Sequence, residues 1–291
     1  MPIPVSCSFD QLLARCGLPR LEARALMTLA SGRAREWLIA HGPDPVEAAL
    51  RERFEALVRR RQAGEPIAYL AGAREFHGHR FEVGPAVLIP RPETEQLVDL
   101  VIDQASPGAD VLDLGTGSGA IAVSVARARP DLRLTATDRS PESLAIARRN
   151  ARSLLGESQA IRIAWHEGDW WSALPGAAIF DVIVSNPPYI AQDDPHLAEG
   201  DLRFEPRAAL AAGADGLADL RTLVAGAPAH LRPDGLLAVE HGWNQGAAVR
   251  ALMFAAGFVA VTTLRDAQQH DRITLGRIPA NGGRSAVPGL E

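Results

Sequence analysis

The sequence predicts an α/β fold, an open and mostly parallel sheet of seven strands preceded by a small helical bundle. Three observations predict it. From Ala109 onward short apolar runs alternate with helical stretches in the βαβ manner. A glycine-rich turn, Asp113-Leu-Gly-Thr-Gly-Ser-Gly119, stands at the first strand-to-helix junction. The chain up to residue 72 shows helical spacing instead.

In chain order, Phe9 to Cys16, Leu21 to Ala30 and Arg33 to His41 read as three short helices. Asp44-Pro45-Val-Glu47 reads as the opening of a fourth, with Asp44 as its cap and Pro45 in its first turn. Leu50, Phe54, Leu57 and Val58 recur on one face of that helix, which therefore packs inward. Arg51, Arg59, Arg60 and Arg61 lie opposite, as a solvated face or as a docking patch for an acidic partner. These helices make a bundle over residues 1–72. Residues 73–92 read as a hairpin turning at Gly78-His79, followed by a Pro-rich extended linker. His77 and His79 have no further ligands beside them, so no metal is expected.

Residues 93–277 form the sheet domain. Glu93 to Gln104 is helical; Arg91 and Glu93 either close over a ligand or form a surface ion pair. Ala109 to Asp113 is the first strand, Ala120 to Arg129 a helix ended by Pro130, and Leu132 to Thr137 the second strand. A helix begins at Ser140-Pro141. Ile161 to Trp165 is the third strand, and Phe180 to Ser185 the fourth. Leu236 to Glu240, Phe258 to Thr263 and Arg272 to Leu275 complete the seven, the last of them antiparallel. The stretch from Ile190 to Ala212 lacks periodicity. Loops this long are uncommon unless functional, so it reads as a substrate-facing loop. Residues 278–291, rich in Gly, Pro, Ser and Ala, read as a disordered tail.

Gly115, Gly117 and Gly119 let the chain turn sharply and bring backbone near a ligand. The turn also satisfies the nicotinamide fingerprint through Gly115, Gly117 and Ala120, so by itself it leaves two cofactors open. Asp113, two residues before it, suits a cationic amino-acid group and would repel a pyrophosphate. Asp138, at the carboxyl end of the second strand, either accepts from ribose hydroxyls or caps the next helix. Asp169 suits an adenine amino group. Trp170 either packs on the ring or, like Trp171, fills the core.

Asn186-Pro-Pro-Tyr189 favours S-adenosylmethionine over the nicotinamide cofactor. It follows the fourth strand, and open α/β sheets bind ligands along that edge. Pro187 and Pro188 fix φ and remove two donors, leaving carbonyls that only accept. The Asn186 oxygen and one such carbonyl can take both hydrogens of an NH2 group, while Tyr189 offers a flat face. An amide nitrogen is a poor nucleophile, and two acceptors raise its electron density and aim it, so positioning carries the catalysis. This predicts N-methylation from S-adenosylmethionine and gives the motif no role in hydride transfer.

Composition bounds the partners. The chain has 291 residues and a net charge of −5, with arginine as its only long basic residue. That excludes a lysine base or Schiff base and offers no nucleic-acid footprint. Cys7 and Cys16 are the only cysteines, and the start Met-Pro-Ile-Pro-Val-Ser has neither the basic nor the apolar region of a signal peptide. A cytoplasmic protein without membrane contact is expected.

Pro90-Arg-Pro-Glu-Thr-Glu95, Asp113-Leu-Gly-Thr-Gly-Ser-Gly119, Val184-Ser-Asn-Pro-Pro-Tyr189, Arg203-Phe-Glu-Pro206 and Glu240-His-Gly242 together resemble the HemK/PrmC family. The resemblance runs to about Arg277. It implies a Rossmann-like (class I) methyltransferase sheet and methylation of the glutamine in the Gly-Gly-Gln tripeptide of peptide-chain release factors. It further implies that Gly115, Thr116, Gly117, Ser118, Gly119, Asp138, Asp169, Trp170 and Asn186 bind S-adenosylmethionine. Asn186, Pro187, Pro188 and Tyr189 would hold the glutamine, with Asn186, Pro187 and Tyr189 catalytic, and the helical bundle would dock the release factor. Ser118 stands where many members carry threonine, and Gln269 where glycine is frequent. Three alternatives remain: an adenine-N6 or guanine-N2 nucleic-acid methyltransferase, a nicotinamide oxidoreductase, and a non-catalytic binding module.

Overall fold

Two units make up the chain in the computed structural model, which describes residues 7–280. One holds the chain as far as Ala73 together with Glu199–Phe204; the other holds Arg74–Ala198 and the chain from Glu205 onward.

The first unit contains α1 (Phe9–Arg15), α2 (Arg20–Ser31), α3 (Arg35–Ala40), α4 (Ala48–Gln62) and α5 (Ile67–Ala71). A reciprocal cap starts α1: the Gln11 amide donates to the Ser8 hydroxyl, and the Gln11 side chain accepts from the Ser8 amide. Gly32, at φ 66°, ends α2. Phe9, Leu26, Met27, Leu38, Phe54 and Val58 form the core. The fourth helix begins at Ala48 and not at Asp44. Phe9 N–H donates to the Asp44 carbonyl and Val46 N–H to that of Cys7, which holds residues 44–46 extended beside the chain before α1.

Three of the four arginines on the basic face of α4 pair with carboxylates. Arg61 donates to Glu22 at 2.7 Å and to Asp201 at 2.6 Å, Arg60 pairs with Glu65, and Arg51 with Glu55. Arg203 donates to the Ala63 carbonyl at 2.6 Å. Gly64, at φ 98°, makes room for that guanidinium, since a Cβ there would fall 1.7 Å from its nitrogen.

The second unit begins with the hairpin β1 (Ala73–Phe76) and β2 (His79–Glu82). Its turn lies at His77-Gly78, one residue earlier than predicted, because both positions take positive φ, 48° and 72°. Then come α6 (Glu95–Gln104), β3 (Asp110–Leu114), α7 (Ala120–Ala128), β4 (Arg133–Asp138), α8 (Pro141–Leu155), α9 (Glu157–Ala160), β5 (Ala164–Glu167) and β6 (Phe180–Ser185). The rest is α10 (Ala218–Gly226), β7 (Leu231–Glu240), α11 (Gly246–Ala255), β8 (Val259–Arg265) and β9 (Asp271–Arg277). The strand order is β5-β4-β3-β6-β7-β9-β8, with β9 antiparallel to both neighbours. One face of the sheet is covered by a core including Leu97, Val123 and Leu134, the other by a core including Leu220, Leu223 and Met253.

Two predicted strands shift. β5 starts three residues late because α9 forms first and Ile161 N–H donates to Glu157, leaving Ile161 78% exposed. β7 extends back to Leu231 through a left-handed Asp234, φ 62°, and a register shift against β6. Gln269 takes φ 66°, the conformation glycine adopts freely. Ile278, where the tail was expected to begin, is held by backbone hydrogen bonds with Asp234 and Gly235. Residues 281–291 lie outside the described part, as do residues 1–6, on which the signal-peptide argument rests.

The sheet reverses its winding between β3 and β6, which places a crevice at their carboxyl ends. Leu114 and Ser185 are register partners there, and the Ser185 hydroxyl donates to the Leu114 carbonyl at 2.6 Å. The glycine turn and Asn186 therefore leave the sheet side by side. Among the described residues no helix is long and apolar enough to cross a membrane, and no three potential metal ligands cluster.

Candidate active site

The glycine turn is held by its own neighbours. The amides of Gly115 and Thr116 donate to the Thr137 carbonyl, Gly119 to Thr116, and Gly117 to the Asp138 carboxylate at 2.8 Å. A loop that cradles phosphates keeps such amides free for the ligand. Here they are taken up, which argues against a pyrophosphate and hence against a nicotinamide cofactor. Asp138 also accepts from Ser140 N–H at 2.9 Å, while the Ser140 hydroxyl caps α8. Burial raises the Asp138 carboxyl above its ordinary range.

Asp113 is fully buried beneath the turn. It accepts from the Thr116 hydroxyl at 2.6 Å and from Ala122 N–H at 3.2 Å, and burial pushes its carboxyl up to about 6. It braces the turn from below and is not among the residues lining the two cavities there, and its Oδ1 is buried with no partner. Gly119 also faces protein: at φ 80°, a Cβ would fall 3.0 Å from that of Ala147 on α8. Its lack of a side chain serves helix packing.

Two adjoining cavities lie over the crevice. The larger, about 400 Å³, is lined by Thr94, Thr116, Gly117, Ser118, Asp138 and Asn186 among others. The smaller, about 70 Å³, is lined by Gly115, Asp138, Asp169, Trp170, Asn186 and Pro188 among others. The larger volume falls within the usual range for small-molecule sites. Trp170 stands against Gly115, where a Cβ would fall 3.1 Å from its ring, and donates to Asp219 at 3.2 Å. Trp171 instead stacks on His230, away from these cavities.

Asn186 alone of its tetrapeptide lines both cavities, and Pro188 lines the smaller. Pro187 and Tyr189 line neither. Tyr189 is partly buried and packs against the core that includes Leu237 and Val239 of β7. Behind Asn186 runs a hydrogen-bonded chain. Its Nδ2 donates to the Thr94 hydroxyl at 3.0 Å, Thr94 donates to Glu240 Oε2 at 2.7 Å, and the Tyr189 phenol donates to Glu240 Oε1 at 3.3 Å. Burial, ahead of every other influence, pushes the Glu240 carboxyl up to about 7. Burial and Glu240 together raise the Tyr189 phenol, so it stays a donor. The Asn186 Oδ1 is left buried with no partner. A buried acceptor without a hydrogen bond costs about 1–3 kcal/mol, which a ligand donor would recover.

Thr94 and Glu240 received no role from the sequence. Each sits in a segment that carries the family resemblance, but nothing local says they meet. Glu205 is similar: it is buried, accepts from Ile89 N–H at 2.9 Å and pairs with Arg91, which settles Arg91 as an ion-pair partner. His241 follows β7 in a loop and lies buried, its ring bonded to the Gly242 carbonyl and to Thr274, and it is not among the residues lining the two cavities.

Residues 8–72 match the PrmC N-terminal domain family and residues 93–201 the methyltransferase small domain family. A release factor glutamine methyltransferase of Burkholderia pseudomallei is 53% identical over 95% of this chain and 98% of its own. One of Escherichia coli is 44% identical over 89% and 92%. Among solved structures, a methyltransferase of Pyrococcus furiosus shares the fold at a TM-score of 0.52 and 18% identity, over 77% of this chain and 98% of its own. Sequence, sheet topology and both matched domains agree that the chain belongs to the release factor glutamine methyltransferase family.

Proposed function

We propose that this protein transfers the methyl group of S-adenosylmethionine to the side-chain amide nitrogen of the glutamine in the Gly-Gly-Gln motif of peptide-chain release factors, in the cytoplasm. One observation carries this: the unpartnered Asn186 Oδ1, buried at the meeting of two cavities and fixed from behind by Thr94. When bound, S-adenosylmethionine supplies an electrophilic methyl carbon on a positively charged sulfur, which leaves as a neutral thioether.

This chain's residues do the positioning. Asp138 accepts from the ribose, Gly115 to Ser118 shape the floor of the larger cavity, and Asp169 and Trp170 border the adenine. Asn186 Oδ1 and a carbonyl of the Pro187–Pro188 stretch accept the two amide hydrogens, holding the nitrogen's electron density toward the methyl carbon. The nitrogen's proton becomes strongly acidic as the new N–C bond forms, and it leaves to water. Asparagine suits this place because it accepts without adding a charge to a desolvated site. Tyr189 acts through Glu240 instead of touching the glutamine. The N-terminal bundle, which contains none of the cavity residues, recognises the release factor.

The test is labelled methyl transfer to a release factor, to its Gln→Ala variant and to DNA. Label on the first alone is expected. Label on DNA, or equal label on the glutamine-less protein, replaces this reading with the nucleic-acid alternative.

A further inference from the structure

We infer that Glu240, acting through Thr94, sets which end of the Asn186 carboxamide faces the substrate, and that only the ionised carboxylate sets it correctly. The inference deepens the methyl-transfer reading and rests on it for its consequence in rate.

The argument is one of hydrogen counting. A hydroxyl has one hydrogen, and an ionised carboxylate has none. With Glu240 ionised, Thr94 must donate to it across 2.7 Å. Only lone pairs then remain on Thr94 for its other neighbour, so Asn186 turns its NH2 toward Thr94, at 3.0 Å, and its oxygen toward the cavities. With Glu240 neutral the chain reverses. Oε1 is already served by the Tyr189 phenol, so the proton sits on Oε2 and is donated to Thr94. The Thr94 hydrogen is then free for the Asn186 oxygen, and the carboxamide turns its NH2 outward. Donor would face donor where a substrate NH2 must bind.

The groups around Glu240 set where this switch lies. Arg272 on β9 favours the ionised form, and Glu93 beside Thr94 the neutral one. Arg91 bears on Tyr189, lowering its phenol against the larger effect of burial. Neighbouring His241 is kept neutral by burial. Burial of the carboxylate outweighs Arg272, which brings the change near neutral pH. Glu240 is thus a positioning residue, and it touches no reacting atom.

Two measurements test this, one of them without substrate. In labelled protein, the Asn186 side-chain NH2 resonances should move with the same midpoint as the Glu240 carboxyl carbon. Thr94→Val should uncouple them. In methyl transfer, kcat should rise to a plateau through that midpoint. Glu240→Gln, whose NH2 is directed to Thr94 because Tyr189 donates to its oxygen, should remain folded. Its kcat at pH 8 should be at least about tenfold lower, at the wild type's acid-limb value, and flat with pH. Asn186 resonances that stay still while Glu240 titrates would overturn the inference, as would a Glu240→Gln enzyme with the wild-type rate and profile. A purely structural Glu240 would leave the pH midpoint of methyl transfer in place in Glu240→Gln, whatever its melting temperature. Wild type that transfers no methyl at pH 8 overturns the functional reading instead, and the resonance experiment still decides this one.

Discussion

Two turns meet at the switch point of the sheet, and each rests on a buried carboxylate that accepts from a threonine hydroxyl. Under the glycine turn, Asp113 takes Thr116, three residues away. Behind the Asn-Pro-Pro-Tyr turn, Glu240 takes Thr94, 146 residues away. The first brace closes within one strand-to-helix junction, where the amides of Gly115, Thr116, Gly117 and Gly119 are satisfied. The second joins three separated segments. Each leaves one buried oxygen without a partner, Asp113 Oδ1 and Asn186 Oδ1, but of the two residues only Asn186 lines the cavities. A local brace gives shape, whereas a long-range brace gives direction to a single polar atom.

Removing that atom should have the largest effect. Asn186→Ala is expected to lower kcat for methyl transfer by roughly 10²–10³-fold, with circular dichroism and cofactor affinity close to wild type. A variant that turns over normally would reduce the second turn to the same structural role as the first.

Stability against pH should then separate the two carboxylates from the rest of the molecule, and activity should separate them from each other. Both folded-state values lie above the ordinary ones, 3.8 for Asp113 and 4.5 for Glu240. The folded protein thus holds protons the unfolded chain releases, and stability falls as pH rises through about 4 to 6 for Asp113 and about 4.5 to 7 for Glu240. Asp113→Asn and Glu240→Gln should each be more stable than wild type at pH 8, by on the order of 3 kcal/mol. The gain should shrink toward pH 5, as followed by denaturant unfolding. Only Glu240→Gln should change the pH profile of methyl transfer.

Asp138 links the brace to the ligand, because it holds Gly117 and Ser140 while lining both cavities. Asp138→Ala should weaken S-adenosylmethionine binding by about 1.5–3 kcal/mol in titration calorimetry. Unchanged affinity would return Asp138 to a purely structural place. The smallest effect should come from Gly119→Ala, which forces a Cβ against Ala147 in a left-handed conformation. It should cost about 1–3 kcal/mol of stability and leave the folded protein's cofactor affinity nearly unchanged, unlike Asp138→Ala.

The same contrast explains what was legible in the sequence. The strands, the glycine turn and the capped start of α8 carry their signal within a few neighbouring residues. Failures came where a distant partner took the backbone or side chain: Asp44-Pro45 looked like a helix start, but Phe9 and Cys7 engage residues 44–46. Ile161 has the apolar pattern of a strand, yet α9 draws its amide away. That Asn186 stands at the cavities was legible from its tetrapeptide at the end of a strand. Its orientation was not, since Thr94 lies 92 residues before it and Glu240 follows on another strand. The Tyr189 hydroxyl's bond to Glu240 was illegible for the same reason, since the two lie 51 residues apart.

The chain enters the N-terminal unit twice, first as far as Ala73 and again over Glu199–Phe204, where Asp201 meets Arg61 and Arg203 meets Ala63. Modular exchange by splicing at residue 73 would therefore carry only part of a unit. A transplanted bundle would arrive with Arg61 short of one carboxylate and an uncapped Ala63 carbonyl, and the recipient would keep a six-residue segment belonging to a structure no longer there. A chimera that exchanges the whole unit needs three crossovers, one after Ala73 and two flanking Glu199–Phe204, inside the loop that follows the Asn-Pro-Pro-Tyr turn.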